Sequence, residues 1–226
     1  MKYDFILFDA DDTLFDFQKT AEKCFSETCK KLGIPYKDGY YEIYRKINQD
    51  YWDLFSLGKV EKSVLKVMRF VDFGKAIGYD INGDEFMPIY EKGLSETAIL
   101  YPETIPTLEK VKQLGLKTYL ITNGLANVQR GRLKLSGLGK YFDGIFISDE
   151  MGTSKPSKTY YDMVVSQIED FDTSKALIVG DSLVSDIPLG LENGIDTCYL
   201  NHTGEKPTLP VTYEIKKVSE VLKILK

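Results

Sequence analysis

Short runs rich in apolar and β-branched residues alternate with helical patterns along most of this chain. The runs that have the length of strands are Phe5 to Phe8, Lys117 to Thr122, Gly144 to Ser148, Ala176 to Gly180 and Thr197 to Leu200. Helical patterns lie near Thr104 to Leu114, Ala126 to Leu135, Lys158 to Ile168 and Ser185 to Asn193. Because strands that alternate with helices are usually joined by crossover connections, the pattern predicts an α/β fold with a parallel sheet.

The interval between the first strand and the second contains helical periodicity but no convincing strand. Its predicted helices are separated by glycine-containing breaks and cover about Lys19 to Leu32, Asp38 to Leu57, Val60 to Ile77 and Gly83 to Glu96. We therefore predict a core formed by residues 1–16 and 98–226. Residues 17–97 are predicted to form a helical domain, inserted after the first strand, that serves as a lid.

Composition and charge exclude several classes of protein. Of the 226 residues, 43% are hydrophobic and 28% are charged, and the net charge is -5. These values are typical of a globular protein and give no general attraction to nucleic acid or to an anionic membrane. The first apolar run is too short for a signal peptide, and no stretch approaches the roughly 18 apolar residues of a membrane span. We therefore predict a cytoplasmic protein without nucleic-acid or membrane partners.

The cysteines and the single histidine argue against two kinds of site. Cys24, Cys29 and Cys198 form no CxxC pair, so reduced thiols are expected rather than a disulfide framework or a zinc site. His202 is the only histidine, which argues against a multi-histidine metal site. We interpret His202 as a surface residue.

Acidic residues follow two of the predicted strands. Asp9 and Asp11 come directly after the first strand, and Asp181 comes directly after the fourth, with Asp186 shortly beyond it. Taken singly, such residues are ordinary turn or helix-cap residues. Together they lie at the carboxyl edge of a parallel sheet, where such folds bind ligands. Crowded carboxylates repel one another unless a cation or a proton intervenes, and oxygen ligands from two strand ends suit Mg²⁺.

Residues suited to an anion are predicted at the same edge. The second strand ends in Thr122, and its hydroxyl together with the N–H groups of Asn123 and Gly124 can bind phosphate, although the same residues also make a plain strand-to-helix turn. Lys155 precedes Pro156, which disfavours helix for the lysine and places it in a loop. Near the carboxylates, Lys155 would neutralise charge and hold a phosphoryl oxygen; elsewhere it would be an ordinary solvated lysine.

Taken together, these segments resemble the haloacid dehalogenase-like (HAD) hydrolase superfamily in composition, order and spacing. The segments are Asp9 to Thr13, Thr122 to Gly124, Lys155 to Pro156 and Gly180 to Asp186. The resemblance implies a Rossmann-like, doubly wound core with a helical cap inserted after the first strand. The interval 17–97 occupies that position in the sequence.

The resemblance also implies a phosphoryl-transfer mechanism. Asp9 would attack phosphorus and form an aspartyl-phosphate, while Asp11 would protonate the leaving oxygen and then activate water. Mg²⁺ would be bound by Asp9, the backbone carbonyl of Asp11 and Asp181, with Asp186 completing the site or orienting a metal-bound water. Asp12 is interpreted as a turn or capping residue.

The second acid of the first motif separates reactions within the superfamily. Members that displace halide typically lack an aspartate at the position of Asp11, so a dehalogenase is disfavoured. Gln129, Arg132 and the segment from Asn193 to Cys198 resemble the branch of pyrimidine 5′-nucleotidases. We therefore predict a Mg²⁺-dependent phosphomonoesterase whose partner is a small phosphate ester, in first place a nucleoside 5′-monophosphate.

Other functions are compatible with the same residues. Within the enzyme class, the alternatives are a phosphatase of another small metabolite, such as a sugar phosphate or phosphoglycolate, and a phosphomutase. From another class, a non-catalytic receiver-like regulatory module also uses strand-end acids and a lysine. That module needs no lid over its acids, so Asp11 and the helical insertion favour the enzyme.

An aromatic stripe in the insertion bears on substrate choice. Its residues recur at helical spacing and are Tyr41, Tyr44, Asn48, Tyr51, Trp52 and Phe55. Most of the stripe is expected to pack inside the helical domain. The alternative is that one of these rings stacks on a nucleobase or another planar leaving group.

Overall fold

The computed structural model describes residues 2–226, and its central element is a six-stranded parallel sheet. The strands are β1 (Phe5–Phe8), β2 (Lys117–Thr122), β3 (Gly144–Ile147), β4 (Ala176–Gly180), β5 (Asp196–Leu200) and β6 (Tyr213–Ile215). Their order in the sheet is β3-β2-β1-β4-β5-β6, with every neighbouring pair parallel. The chain thus builds outward from β1 in both directions, and the predicted doubly wound α/β class is confirmed.

The long interval after β1 is helical, as predicted. It contains α1 (Phe17–Lys31), α2 (Tyr40–Ser56), α3 (Lys62–Ile77) and α4 (Gly83–Ser95). The break between α3 and α4 follows from local chemistry. Gly78 ends α3 in the left-handed conformation at φ 69°, and the Asn82 side chain accepts from the N–H groups of Asp84 and Glu85 to begin α4.

The remaining helices lie between the strands of the sheet, except for α10, which follows the last strand. They are α5 (Thr104–Gln113), α6 (Ala126–Ser136), α7 (Ser148–Met151), α8 (Lys158–Val165), α9 (Asp186–Asn193) and α10 (Val221–Ile224). Short 3₁₀ turns lie at Leu138–Tyr141, Thr173–Lys175 and Val218–Glu220. Within residues 2–226, no helix combines the length and apolarity that a bilayer crossing requires.

The structure differs from the sequence-based expectation at several element ends and in one strand; for example, β5 begins at Asp196 rather than Thr197, and α8 ends at Val165 rather than Ile168. The third strand ends at Ile147 rather than Ser148, because Ser148 already begins α7. The edge strand β6 was not predicted, since it has only three residues and places the polar Glu214 in their midst. The pairing of β6 with β5 is a tertiary contact, and a sequence pattern of three residues does not predict it.

The chain divides into two compact units. One comprises the chain up to Phe17 together with Ile99–Lys226 and holds the sheet; the other is the helical segment Gln18–Ala98. In the helical unit, aromatic rings form the interior. Tyr44 stacks on Phe25 at a centroid distance of 4.2 Å and on Phe70 at 5.5 Å. The expected packing role of this part of the stripe is confirmed.

One face of the sheet is buried against helices. Alternate residues of β1, Phe5 and Leu7, belong to one apolar cluster with Ile178 of β4 and with Tyr160 and Val164 of α8. All four residues of β1 are buried, as expected for a central parallel strand covered on both faces. Asp9 and Asp11 follow the end of this buried central strand.

The register places the ends of β1, β2 and β4 within two residues of one another. Phe8 of β1 pairs with Leu120 of β2 and with Val179 of β4. The residues that follow β1, β2 and β4 therefore leave the sheet at one edge, close to the point where the strand order reverses direction. Ligands of open α/β sheets bind at such a point.

Candidate active site

Three carboxylates converge where β1 and β4 end. The N–H of Asp9 donates to the carbonyl of Val179 at 2.8 Å, which extends the β1–β4 ladder to the acid. Asp181 follows β4 directly, and Asp186 begins α9. One ligand oxygen from each acid lies within 4.8 Å of the others. Gly180 permits this approach, because a Cβ there would lie 2.2 Å from Oδ2 of Asp186.

Lys155 lies inside this group of acids and is only 1% exposed. Its ammonium donates to Oδ1 of Asp9 at 2.5 Å, to Oδ1 of Asp186 at 2.6 Å and to the carbonyl of Ile121 at 3.0 Å. A lysine ammonium has three N–H donors, and each one is used here. Lys155 is thus placed to neutralise and orient two carboxylates, and its contact with a phosphoryl oxygen stays a prediction.

The turn after β2 positions the lysine. The side-chain amide of Asn123 donates to the carbonyl of Lys155 at 2.9 Å, and its oxygen accepts from the Lys155 N–H at 2.9 Å. The N–H of Gly124 donates to Oγ1 of the buried Thr122 at 3.1 Å. The predicted anion-binding residues therefore lie beside Lys155, and the Asn123 side chain contributes by holding the lysine backbone in place.

Burial and repulsion shift the titration of this cluster. Removal from water raises the pKa of the Asp9 carboxyl to about 8 against the opposing effect of Lys155, and Asp186 and Asp11 add to the rise. Burial, with repulsion from neighbouring acids, raises the pKa of Asp181 well above its usual range. Burial alone would lower the pKa of Lys155, but Asp186 and Asp9 outweigh it and raise that pKa. Lys155 alone therefore does not offset the negative charge that the three acids carry when they are ionised.

Asp11 is held separately from the three acids. Nη1 of Arg132 donates to its Oδ1, and Nε2 of Gln129 donates to its Oδ2 at 2.6 Å. Both donors are on α6 and are fully buried, whereas the Asp11 side chain remains 28% exposed. Asp11 therefore presents an accessible carboxylate fixed from behind by two side chains.

Sequence reasoning found Gln129 and Arg132 only through their resemblance to a branch of the superfamily, and it assigned them no contact. A local signal was available. The two residues are three apart on the helix that follows β2, and therefore share one face of it. The packing of α6 decides where this face of the helix points, and it places the face against Asp11.

The single histidine contacts the loop that carries the acids. His202 is exposed, as predicted, yet its Nε2 lies 2.5 Å from the carbonyl oxygen of Asp12 and its ring stacks on Tyr101 at a centroid distance of 5.6 Å. Asp12 has a left-handed backbone at φ 55°, and its carboxylate accepts from the N–H of Phe17 at 3.1 Å. The interpretation of Asp12 as a turn and capping residue is confirmed.

Comparison with known proteins identifies the family. The family model described as haloacid dehalogenase-like hydrolase matches residues 3–194. This chain belongs to that family. The match includes β1 through α9, so it contains every strand end that delivers a residue to the site.

Full-length relatives of this HAD hydrolase are found in several bacteria. YfnB of Bacillus subtilis, named as a HAD hydrolase, is 34% identical over 99% of this chain and 96% of its own length. A crystal structure of YfnB bound to magnesium has a TM-score of 0.93 and covers 100% of both chains. The pyrimidine 5′-nucleotidases PynA of Streptococcus pneumoniae and YjjG of Escherichia coli are 32% and 29% identical, over 100% of this chain and 96% and 99% of their own lengths.

The donor set of this HAD hydrolase fits a divalent cation. Asp9, Asp181 and Asp186 offer carboxylate oxygens, the ligands that hard divalent cations prefer. With Asp11, four carboxylates face two cations, Lys155 and Arg132, which leaves an excess of two negative charges when all are ionised. Burial, with repulsion between the acids as a smaller cause, raises the pKa of Asp9 and Asp181; a divalent ion would supply the missing charge and relieve that repulsion.

Binding of the cation is expected to stabilise the protein more at high pH than at low pH. The folded pKa of Asp9, about 8, exceeds the unfolded value of about 3.9. Without metal, its contribution to stability is present below about pH 4 and is lost as the pH rises through 8. A cation at about 100 times its Kd adds about 2.7 kcal/mol. The measurement is Tm with EDTA or with Mg²⁺, at pH 6 and pH 8.5.

The matched control for this prediction is Asp162→Asn, which removes an exposed carboxylate paired with Lys158. It should keep the full, pH-dependent rise in Tm on addition of Mg²⁺. The rise should disappear in Asp181→Asn. An equal rise at both pH values would contradict the link between the ion and the raised pKa of the cluster.

Proposed function

We propose that this HAD hydrolase is a Mg²⁺-dependent phosphomonoesterase that acts on nucleoside 5′-monophosphates, with pyrimidine nucleotides preferred. The observation that carries the proposal is the pair of acids after β1. Asp9 is buried beside Lys155, and Asp11, two residues later, is partly exposed and held in a fixed orientation. A nucleophile and a separate proton donor are what hydrolysis of a phosphate ester requires.

In the proposed first step, a carboxylate oxygen of Asp9 attacks phosphorus and the bond from phosphorus to the ester oxygen breaks. Asp11 gives its proton to the departing oxygen, so the alcohol leaves neutral. In the second step, Asp11 takes a proton from water while the water oxygen attacks phosphorus and the bond to Asp9 breaks. Asp11 then carries the proton that the next leaving group needs.

Other residues supply charge and orientation. Lys155 keeps Asp9 and Asp186 in place and offsets their charge. Thr122, the backbone of Asn123 and Gly124, and Lys155 are proposed to contact the phosphate at the same sheet edge. The hydroxyl of Thr122 already serves the turn as an acceptor from Gly124, which leaves its own proton free to be donated.

The residues proposed to hold Mg²⁺ are Asp9, Asp181 and Asp186, together with the backbone carbonyl of Asp11. When bound, the ion shields the nucleophile from the negative charge of the phosphate and offsets the charge that develops on it. The cluster of three acids supports this proposal, and so does the magnesium in the crystal structure of the relative YfnB.

The preference for nucleotides is supported by the names of two relatives. PynA and YjjG are pyrimidine 5′-nucleotidases and are similar to this chain over its full length. The helical unit Gln18–Ala98 is proposed to act as the cap that selects the leaving group. Its half-buried rings Tyr51, Trp52 and Phe55 remain available for this, because Tyr41 and Tyr44 are committed to the interior.

A panel of phosphate esters tests the proposal. With Mg²⁺ present, kcat/KM for UMP, dUMP and dTMP should exceed that for sugar phosphates and phosphoglycolate by about tenfold or more, which corresponds to about 1.4 kcal/mol of transition-state binding. Phosphate release is the measurement, and EDTA provides the control without metal. Preference for a sugar phosphate or phosphoglycolate would overturn the substrate assignment. Isomerisation of a sugar phosphate without phosphate release would instead indicate a phosphomutase.

A further inference from the structure

Arg132 is a buried cation directed at a single carboxylate. Its side chain has no exposed surface, and its Nη1 donates to Oδ1 of Asp11. Within residues 2–226, its Nε and Nη2 have no hydrogen-bond partner. The guanidinium lies over the ring of Phe15, 4.1 Å from the centroid, and near the ring of Phe17 at 5.6 Å. Asp11 is thus the charged partner of Arg132, and the rings of Phe15 and Phe17 lie beside the guanidinium.

Burial of the Arg132 guanidinium costs free energy unless the Asp11 carboxylate faces it. A buried charge without a partner is strongly unfavourable, so the guanidinium strongly favours conformations in which Asp11 faces it. Arg130, two residues earlier on the same helix, shows the contrast. Arg130 is exposed and pairs with Glu150 at 2.6 Å, which is an ordinary surface ion pair. Of the two arginines, only the buried Arg132 is directed at the reaction site.

Gln129 holds the other oxygen of Asp11 in a space made by a glycine. Its Nε2 donates to Oδ2 of Asp11 at 2.6 Å. The side chain passes over Gly124, where a Cβ would lie 2.2 Å from Nε2 of Gln129. The turn after β2 therefore needs glycine at this position for the glutamine to reach the acid. Gly124 supports Asp11 as well as the proposed phosphate contact.

We propose that Gln129 and Arg132 are positioning residues that fix the Asp11 carboxylate for both of its proton transfers. This inference rests on the proposed function, in which Asp11 is the acid and then the base. Each oxygen of a carboxylate accepts two hydrogen bonds, so one lone pair on each oxygen stays available to the leaving group or to water. The two side chains set the direction of those lone pairs, and they act on the reaction only through Asp11.

A double-mutant cycle tests this dependence. With UMP, Asp11→Asn should lower kcat by about 10³-fold, and Arg132→Met or Gln129→Met by about 30-fold, since general acid–base catalysis contributes about 10² to 10⁴. KM should stay within about threefold. In the Asp11→Asn background, adding Arg132→Met should change kcat by less than about threefold, because its target is already lost. Arg132→Lys should recover part of the loss, since it restores one donor and the charge.

The leaving group provides a second readout. A nitrophenolate departs without a proton, so the initial burst of nitrophenolate from p-nitrophenyl phosphate should persist in Arg132→Met while single turnover of UMP slows. Arg130→Met is the matched control on the same helix and should match the wild type in kcat and KM for both substrates. A general structural defect would slow the burst and the nucleotide reaction equally.

The outcomes separate this inference from the function on which it rests. If the losses from Asp11→Asn and Arg132→Met multiply, Arg132 does not act through Asp11 and the inference is wrong. Wild-type kcat in both Arg132→Met and Gln129→Met would also overturn it. Should Arg132→Met fail to fold, the cycle with Gln129→Met decides the question. If Asp11→Asn itself keeps wild-type activity, the proposed function fails instead.

Discussion

Asp9→Asn is expected to lower phosphatase activity by about 10⁴-fold or more, because an amide cannot act as the attacking nucleophile and no other group replaces it. The variant should still fold. Asp9 is a buried acid whose pKa is raised to about 8 by burial, so removing its charge relieves repulsion from Asp186 and Asp11. The measurements are phosphate release from UMP with Mg²⁺ and the Tm of the metal-free protein.

The control for Asp9→Asn is its thermal stability. Without metal, its Tm should equal or exceed that of the wild type at pH 8.5, which excludes misfolding as the cause of lost activity. Intact-protein mass after rapid acid quenching should show one added phosphoryl group in the wild type and none in the variant. Activity within tenfold of wild type would show that another residue attacks phosphorus.

Lys155→Met is expected to destabilise the metal-free protein by about 3 kcal/mol, since breaking a buried ion pair leaves uncompensated charge. Two carboxylates, Asp9 and Asp186, and the carbonyl of Ile121 lose their donor together. The loss should grow as the pH rises through 8. Below that pH, Asp9 of the wild type carries a proton and gains little from Lys155; above it, Lys155 stabilises the ionised carboxylate, and the variant lacks this interaction. Urea unfolding at pH 6 and pH 9 measures the difference.

A nearby lysine serves as the control for this prediction. Lys158 is exposed and pairs with Asp162 within α8, so Lys158→Met should change stability by less than about 0.5 kcal/mol. Mg²⁺ should restore part of the stability of Lys155→Met, because the ion replaces the missing positive charge. A loss for Lys155→Met no larger than that for Lys158→Met would contradict its role in holding the acids together.

Much of the fold was predictable because its signals are local. The apolar run of β1 and the glycine that ends α3 are each contained in a few neighbouring residues. The edge strand β6 was missed, since three residues carry too little pattern and owe their conformation to pairing with β5. Local periodicity predicts an element when the element's own residues stabilise it, and fails when a distant partner does.

The candidate site divides in the same way. Acids at strand ends are visible in the sequence, because a parallel sheet brings its carboxyl ends to one edge. What surrounds them is not visible. Lys155 binds Asp9 from 146 residues away, and Arg132 binds Asp11 from 121 residues away. The three donors of Lys155 contact protein groups, and its contact with a phosphoryl oxygen, which would replace one of them, stays a prediction.

By itself, the sequence determined the class of sheet, the helical interval after β1, and the four acids and one lysine that the loops deliver to one edge. Those features follow from periodicity and from the parallel course of the strands, which are properties of neighbouring residues. Only the tertiary structure decided which acids share Lys155, and that Asp11 is held apart by Gln129 and Arg132. Hydrogen bonds and buried charges depend on distances of a few ångströms between remote segments, and the packing of α6 and of the Lys155 loop against the sheet sets those distances.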